Sequence, residues 1–467
     1  MIVIGGGLAG LSAGIALAES GWRVRLFEQR PFLGGRATSY VLPDGEHVDN
    51  CQHVTLGCCT NLEDFYRRVG AANKIRYFGR LLFQDPQGRA GTMQAGLLPA
   101  PLHMTGSFLT FAPLTAADKR SIAQALLDIL RGQGHTPDLD QPGGISMLEW
   151  LRRRKQTSGA IERFWRVVLV SALDEELDRT DARFGVDVFW KGFLSNRRGY
   201  RMGVPSVPLA QLYDGCKNEI ERRGGEVNLR APVREIHSDG RTISGVAFDG
   251  GCLESADAYI FAIPHQQLVE LLPAGIKERA PVLAQIEQIK VSPITGVHFW
   301  FDRQVMTEPF VTLLDTTTQW IFNKTRLYSG ENGTLREKGQ YLQLVISASY
   351  NLLQKSRQEI VDLCLSEVQR ALPESREAKL VKSTVIKEAA ATFSPEPGVD
   401  RLRPTQHTPV KGFYLAGDWT ATGWPATMEG AVRSGYLAAE ALLKDVGTPR
   451  SFLQPDLPVE TLVRWLG

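Results

Sequence analysis

The stretch Ile2-Val3-Ile4-Gly5-Gly6-Gly7-Leu8-Ala9-Gly10 decides the fold, together with the apolar run 11–18 that follows it. An apolar strand, a G-x-G-x-x-G turn and a helix-forming run succeed one another without interruption, as in a dinucleotide-binding βαβ unit. Gly5 permits the tight turn, Gly7 lets the backbone approach a pyrophosphate, and Gly10 lets the helix and strand pack closely. The N–H groups at the start of the helix then face the anion. The sequence therefore predicts an α/β fold that binds a dinucleotide.

A second glycine-rich segment follows this unit. Residues 22–27 predict the next strand, which ends at Glu28, an acid placed to accept the hydroxyl groups of a ribose. Residues 29–36 then read Gln-Arg-Pro-Phe-Leu-Gly-Gly-Arg. Because a guanidinium forms paired hydrogen bonds with phosphate oxygens, we predict that Arg36 faces the diphosphate.

A related signal lies near the other end of the chain. Residues 412–419 read Gly-Phe-Tyr-Leu-Ala-Gly-Asp-Trp, which predicts a short apolar strand ending in Gly417-Asp418. A long helix rich in alanine and leucine begins after it, within residues 427–435. A motif from each end of the chain favours FAD over NAD, since NAD enzymes need no second motif from the opposite end.

The composition excludes several classes of protein. The 467 residues suggest two or three domains, and 43% hydrophobic with 22% charged residues is a globular composition. A formal net charge of +2 gives no reason to expect a nucleic-acid partner, and the six cysteines form no C-x-x-C pair or zinc-type spacing, so we expect no metal. No apolar run is long enough to span a bilayer, and no signal peptide precedes the first strand. We expect a cytoplasmic protein. Whether residues precede Met1 in the native chain stays open.

The two ends of the chain together resemble the FAD-binding signatures of the amine oxidase and phytoene desaturase superfamily. The resemblance implies that Asp418 binds the ribitol chain, that Met428 to Ala431 face the isoalloxazine, and that the backbone at Val233 meets the adenine. The residues predicted to bind FAD are Gly5, Gly7, Leu8, Ala9, Gly10, Glu28, Gln29, Arg30, Gly35, Arg36, Val233, Gly417, Asp418, Met428, Glu429, Gly430 and Ala431.

One internal segment narrows the resemblance. Residues 48–62 read Val-Asp-Asn-Cys-Gln-His-Val-Thr-Leu-Gly-Cys-Cys-Thr-Asn-Leu, which is similar to a segment of the squalene-associated branch, the hydroxysqualene dehydroxylases of hopanoid-making bacteria. The Trp424-Pro425-Ala426 run agrees with the same branch. Cys51 departs from it, because the family usually has glycine there. The resemblance implies reductive removal of an allylic hydroxyl from hydroxysqualene, which gives squalene and water.

The resemblance also implies the domain arrangement. A Rossmann-like FAD-binding domain of the glutathione reductase and amine oxidase type is expected to interleave with a mixed-sheet substrate domain and a helical cap. The expected boundaries are 1–77 for the first FAD-binding segment, 78–195 for the helical cap and substrate- or membrane-facing region, 196–287 for the second FAD-binding segment, 288–400 for the substrate domain, 401–446 for the third FAD-binding segment, and 447–467 for a C-terminal tail.

The implied reaction needs a proton donor for the leaving hydroxyl. His53 is the candidate, since histidine holds a transferable proton near neutral pH. The other interpretation of His53 is a hydrogen-bonded structural residue beside the flavin. Gln52, His53 and Trp424 are the predicted substrate contacts.

The apolar stretch 81–111 suits a C30 hydrocarbon, since each buried methylene contributes about 0.8 kcal/mol. Such a substrate partitions into lipid, so we expect peripheral contact with the inner face of the cytoplasmic membrane through this segment and the basic residues Arg197, Arg198 and Arg201. Alternatively, residues 81–111 belong to the domain core.

Three other functions stay open from the sequence. An oxidative carotenoid desaturase of the phytoene type would use the same fold and tunnel. A flavin amine oxidase would need an aromatic cage, for which Trp419 and Trp424 are candidates. A non-catalytic prenyl-binding escort protein is the third, although the intact glycine motif argues against it. The sequence indicates neither the electron donor to the flavin nor the oligomeric state.

Overall fold

The computed structural model describes residues 1–329 and 339–466. Residues 330–338 of the expected substrate domain and Gly467 of the expected tail lie outside the described residues. The strands are β1 Ile2–Ile4, β2 Arg25–Glu28, β3 Ser39–Val41, β4 His47–Asp49, β5 Thr55–Leu56, β6 Ile75–Phe78, β7 Arg80–Gln84, β8 Ala90–Gln94, β9 Met202–Pro205, β10 Glu226–Leu229, β11 Val233–Ser238, β12 Ile243–Phe248, β13 Leu253–Glu254, β14 Tyr259–Phe261, β15 Val291–Phe301, β16 Phe310–Leu313, β17 Trp320–Asn323, β18 Gln340–Ser347, β19 Leu380–Phe393 and β20 Phe413–Leu415.

The helices cluster in the first and last segments and in the region between β8 and β9. They are α1 Leu8–Glu19, α2 Thr60–Arg68, α3 Thr105–Thr110, α4 Ala116–Arg131, α5 Met147–Arg153, α6 Ser158–Ala160, α7 Arg166–Leu173, α8 Ala182–Phe189, α9 Asp214–Glu221, α10 His265–Leu271, α11 Ala274–Arg279, α12 Pro281–Gln285, α13 Lys324–Ser329, α14 Arg357–Ala371, α15 Met428–Asp445 and α16 Thr461–Leu466. None of these helices is long and apolar enough to cross a membrane.

A five-stranded parallel sheet forms the dinucleotide-binding domain. Its order is β10-β2-β1-β14-β20, so strands from three distant parts of the chain lie side by side. β1 is fully buried, as expected for a parallel sheet that is covered on both faces. The second strand begins at Arg25, three residues later than the sequence pattern suggested, because residues 22–24 form no ladder with β1.

Two glycines allow the close packing at the end of β1. Gly5 has a φ of +106°, a left-handed value that favours glycine. A Cβ atom on Gly10 would lie 1.9 Å from the carbonyl oxygen of Gly5, so only glycine lets α1 start this close to the turn. On the far side of α1, a Cβ atom on Gly435 would lie 2.1 Å from Ser12 Oγ. The first and last segments therefore pack backbone against backbone.

The second domain is built on a seven-stranded sheet with the order β19-β15-β18-β17-β16-β7-β8. β7 pairs with β16 in parallel, whereas the other neighbours are antiparallel. β7 and β8, which fall in the segment 78–195 expected to form the helical cap and substrate- or membrane-facing region, are strands of this substrate-domain sheet. Their apolar side chains alternate along the strands and form the inward face at one edge of the sheet. In the sequence, the apolar stretch 81–111 concealed this alternation.

The remaining helices of the region 105–194 form the cap over this sheet. α4 begins with a capping box, in which Thr115 and Asp118 satisfy each other's free N–H groups. Two segments of the cap are π-helical. Ile161–Trp165 leads directly into α7, and Trp190–Leu194 directly follows α8. The cap thus brings a layer of aromatic and aliphatic side chains over the point where the two domains meet.

Candidate active site

Two glycine turns meet at the carboxyl ends of β1 and β2. The N–H of Gly34 donates to the carbonyl oxygen of Gly6 at 2.9 Å. Gly35 has a φ of +60°, and a Cβ atom on it would lie 2.9 Å from the Cα atom of Gly7. Both turns line a cleft of about 320 Å³, here called the dinucleotide cleft. Bare backbone from both glycine motifs therefore faces the place where a diphosphate would lie.

Glu28 lies at the end of β2 and lines the same cleft. Its carboxylate accepts the N–H of Gly6 at 2.6 Å and the N–H of Arg30 at 2.7 Å. These contacts hold the Glu28 carboxylate at the end of β2, against the glycine turn that follows β1. This is the arrangement that binds a ribose in dinucleotide folds.

Arg36 and Asp418 join the first and last segments across the cleft. Nη2 of Arg36 lies 2.5 Å from Oδ1 of Asp418, and Nη1 donates to the carbonyl oxygen of Ala391 at 2.8 Å. Gly417 precedes this aspartate with a φ of +146°, and a Cβ atom there would lie 2.3 Å from Trp419 Nε1. The guanidinium thus orients Asp418. The expected contact between Arg36 and the diphosphate stays a prediction.

α15 begins at the cleft. Thr427 caps it by accepting the N–H of Gly430 at 3.0 Å, and Met428 and Ala431 line the cleft. The side chain of Glu429 corrects the expectation for this segment. Its carboxylate accepts the N–H groups of Asn61 and Leu62, so it caps α2 instead of facing the cleft. This happens because α2 brings its free N–H groups against α15, which no local pattern reveals.

Most of the other predicted cofactor residues line the cleft, and two glycines do not. Gly10 and Gly430 do not line the cleft: Gly10 packs against the turn, and Gly430 packs against the carbonyl oxygen of Pro425. The predicted residues that line the cleft are Gly5, Gly7, Leu8, Ala9, Glu28, Gln29, Arg30, Gly35, Arg36, Val233, Gly417, Asp418, Met428 and Ala431.

A second cavity of about 510 Å³ adjoins the cleft. Its walls are mostly aromatic and aliphatic side chains, and we call it the apolar cavity. Among its lining residues are Phe83, Phe108, Phe164, Phe189, Phe193 and Trp424. The residues that line both spaces are Val54, Ser171, Ala172, Thr427 and Met428. This shared wall, the junction, joins an apolar binding space to a dinucleotide site.

The model of the family described as flavin containing amine oxidoreductase matches residues 8–443. The chain belongs to this family. The 15-cis-phytoene desaturase of Solanum lycopersicum is 28% identical over 470 residues, which cover 95% of this chain and 78% of the relative. The zeta-carotene desaturase of Synechocystis sp. is 28% identical over 471 residues, which cover 94% of this chain and 96% of the relative.

A solved structure agrees on the fold. Cyclohexylamine oxidase from Brevibacterium oxydans IH-35A superposes with a TM-score of 0.68 at 17% sequence identity, covering 95% of this chain and 98% of that one. The cofactor is FAD, and the glycine-lined cleft with Glu28 and Asp418 at its two ends suits it. When bound there, FAD supplies reversible transfer of a hydride.

The two tryptophans near the Gly-Asp motif of this flavoenzyme do not face each other. Trp419 lines the dinucleotide cleft and donates its indole N–H to the carbonyl oxygen of Ile263 at 3.0 Å. Trp424 lines the apolar cavity, with Lys191 Nζ 5.2 Å from its ring centroid. Because the two rings belong to different spaces, they do not form the aromatic cage that an amine oxidase would need.

The segment Cys51-Gln52-His53 lines the dinucleotide cleft beside the junction. Nδ1 of His53 lies 3.1 Å from the carbonyl oxygen of Cys51. Burial lowers the pKa of His53, although the hydrogen bond to Cys51 acts in the opposite direction. The neutral imidazole is therefore the favoured form near neutral pH. His53 is thus a weaker proton donor than the sequence suggested. Burial also raises the pKa of the Cys51 thiol, so Cys51 stays protonated.

A buried ion pair holds this segment in place and was not anticipated from the sequence. Nζ of Lys324, which is fully buried, lies 2.7 Å from Asp49 Oδ2 and donates to Gln52 Oε1 at 2.7 Å. Burial opposes ionisation of Asp49, but Lys324 and the N–H of Leu209 outweigh it, so the pKa of Asp49 lies below its usual value. The residues are 275 positions apart, and although Asp49 belongs to the segment 48–62, nothing in the sequence around Lys324 indicates that the two side chains pair. A polar network in the second domain thus positions Gln52 in the first.

Removing one partner of a buried ion pair lowers the free energy of unfolding of a protein by about 3–5 kcal/mol. We therefore expect Lys324→Met to lower the free energy of unfolding by about that amount and to weaken retention of FAD, because Asp49 would be left charged and unpaired. Chemical denaturation followed by flavin fluorescence measures both effects. Lys382→Met is the control: Lys382 pairs with Asp44 at the surface, where such pairs are worth about 0–1 kcal/mol. Equal stability of the two variants would contradict the assignment.

Proposed function

We propose that this flavoenzyme acts on a long acyclic isoprenoid hydrocarbon and that its reaction is reductive dehydroxylation of hydroxysqualene to squalene. The observation that carries the substrate class is the apolar cavity and its junction with the dinucleotide cleft. A hydrocarbon chain of this length gains about 0.8 kcal/mol for each methylene that leaves water, so it needs few polar contacts. The similarity of residues 48–62 to the hydroxysqualene dehydroxylase branch supports the specific reaction.

The protein's own residues orient the substrate and keep water out. Val54, Ala172 and Met428 line both spaces, so a substrate chain held by the aromatic wall of the cavity would reach the dinucleotide cleft between them. Exclusion of water protects a developing allylic cation from capture and strengthens nearby electrostatic interactions. The leaving hydroxyl also requires a proton donor within reach of the cleft.

Oxidative desaturation of a carotenoid precursor is the second candidate. It is favoured by the relatives, which are named as phytoene and zeta-carotene desaturases. The same cavity would hold a polyene precursor, and the flavin would accept a hydride instead of donating one. The two reactions therefore differ in the redox state of flavin that reacts with substrate.

An anaerobic single turnover separates the two candidates. We expect the photoreduced enzyme, mixed with hydroxysqualene, to reoxidise its flavin and to yield one squalene for each flavin. Flavin absorbance and lipid extraction follow the two products. If reduced enzyme is silent with hydroxysqualene and oxidised enzyme is reduced by phytoene, the reaction is desaturation.

The junction can be closed by one substitution. We expect Ala172→Phe to lower the single-turnover rate by more than about tenfold, because a misplacement of about 1 Å in the reacting atoms can cost roughly 10²-fold. The flavin spectrum should be unchanged. Ala117→Phe, an exposed position on α4, is the matched control and should leave the rate unaltered. A fully active Ala172→Phe enzyme would refute the route through the junction.

The opening of the apolar cavity supports contact with a lipid surface. Leu102, Leu109 and Leu127 line the cavity and are also 42%, 62% and 39% exposed, so the cavity reaches solvent beside them. Leu97 is 96% exposed next to this opening, and Arg197 donates to its carbonyl oxygen at 3.2 Å. Exposed leucines with a neighbouring arginine are typical of peripheral membrane binding. We infer that the substrate enters from the bilayer here.

Replacing two of these leucines tests the membrane contact. Insertion of one leucine is worth about 1.5–3 kcal/mol, so Leu97→Glu with Leu109→Glu should weaken binding to phosphatidylcholine–phosphatidylglycerol vesicles by at least about tenfold. Vesicle co-sedimentation measures the change. The control is Val381→Glu, since Val381 is 62% exposed on β19, at the opposite edge of the sheet from β8. Equal vesicle binding by both variants would exclude this face.

A further inference from the structure

Asp174 lies where α7 ends, at the wall of the dinucleotide cleft. It follows Leu173 with a left-handed backbone, φ 55° and ψ 36°, which terminates the helix. It lines the dinucleotide cleft and is 4% exposed. Ala172, two residues earlier, belongs to the junction. The turn therefore brings a carboxyl group to the wall of the cleft within two residues of the passage to the apolar cavity.

The partners of this carboxyl group are neutral. Oδ1 accepts the N–H of Ala348 at 2.8 Å, and Oδ2 lies 2.9 Å from the hydroxyl oxygen of Thr392. Among the described groups that act on it most strongly, the one charged side chain is its neighbour Glu175, which is also acidic. Burial raises the pKa of Asp174 well above its usual value, and Glu175 adds to the shift. Burial and neutral hydrogen-bond partners thus both favour the protonated form of the carboxyl group.

Asp49 shows how a neighbouring cation changes the pKa of a buried aspartate. It is as buried as Asp174, but Lys324 lies against it and the pKa of Asp49 is lowered. The surroundings of Asp49 thus favour the ionised carboxylate, and those of Asp174 favour the protonated form. Of these two residues, Asp174 lines the cleft; Asp418, which is buried and also lines it, is paired with Arg36. Environments that separate two carboxyl groups in this way are typical of acid–base sites.

We propose that Asp174 is the proton donor that turns the leaving hydroxyl of the substrate into water. This assignment rests on the proposed dehydroxylation. The carboxyl O–H bond breaks and a new O–H bond forms on the substrate oxygen. The C–O bond breaks with its electron pair going to oxygen, which leaves as water. Bound FAD, in its reduced form, would supply the hydride that the carbon takes up and the proton that returns to the Asp174 carboxylate. The balance would then be an alcohol and FADH2 giving a hydrocarbon, water and FAD.

Other titratable groups at the cleft are less suited to this role. His53 is neutral because burial lowers its pKa, and its Nδ1 is engaged by the carbonyl oxygen of Cys51. Glu388 lines the cleft but is partly exposed, and the hydroxyl of Tyr40 donates to it at 3.3 Å. Cys51 holds its proton too tightly to be an effective acid near neutral pH, since burial raises its pKa.

The variant Asp174→Asn tests the proposal. Asparagine has the same shape and can keep both hydrogen bonds, by accepting from Ala348 and donating to Thr392, but it has no proton to transfer. We expect the anaerobic single-turnover rate with hydroxysqualene to fall by roughly 10²- to 10⁴-fold, the usual contribution of a general acid. Flavin content should be unchanged. Asp178→Asn, an exposed aspartate four residues later, should turn over at the wild-type rate.

Two further measurements do not depend on the variant's turnover. The infrared difference spectrum between wild-type and Asp174→Asn enzyme, without substrate, should show the carbonyl stretch of a protonated carboxyl group at neutral pH. In the wild-type enzyme, the single-turnover rate should fall as the pH rises through the pKa of Asp174, because only the protonated form donates. If Asp174→Asn does not retain flavin, this pH profile replaces it.

The outcomes separate the two proposals. A wild-type enzyme that makes squalene together with an equally fast Asp174→Asn enzyme would overturn the role of Asp174 and leave dehydroxylation standing. So would a missing carboxyl band, a rate that does not fall at high pH, or a His53→Gln enzyme that carries the whole loss instead. If the wild-type enzyme makes no squalene, dehydroxylation fails and the proton donor with it.

Discussion

Burial of ionisable groups beside the dinucleotide cleft is the constraint on which the chemistry of this site depends. The same desolvation acts on every ionisable group there, and its result depends on what lies within hydrogen-bonding distance. At Asp49 an ammonium group and backbone N–H compensate for the lost water, so the carboxylate stays charged. At Asp174 the partners are neutral, so burial raises the pKa of the carboxyl group and favours its protonated form. A polar surface would give both groups similar acidity.

The dry junction depends on backbone contacts made far away from it. The glycines at 5, 10 and 435 let α1 approach both the turn after β1 and α15. Arg36 then ties Asp418 to the first segment. Because interiors are packed like crystals, these contacts fix where α15 begins and hence where Met428 forms part of the wall. The catalytic geometry is therefore set by close packing in the nucleotide domain.

The sequence predicted what local patterns encode. The turn after β1, the acid at the end of β2 and the strand before Asp418 are each readable within about ten residues, and they were enough to predict the fold class and FAD. Contacts between distant segments were not readable. The pairing of β7 with β16 and the ion pair between Asp49 and Lys324 join positions more than two hundred residues apart. Asp174 was missed although three acids follow an apolar helix there, because its protonation depends on Ala348 and Thr392.

The state of Asp174 bears on which reaction the site favours. Both candidate reactions transfer a hydride between the flavin and an apolar chain, and both gain binding energy from the same cavity. They differ in their need for protons. Desaturation removes hydrogen from carbon and leaves no hydroxyl to protonate, whereas dehydroxylation cannot release hydroxide into a dry site without an acid. Burying a neutral carboxyl group without a nearby cation costs little desolvation energy. In a desaturation, however, there is no hydroxyl to which such a group could donate its proton. A position on the cleft wall is where the proposed dehydroxylation requires its proton donor.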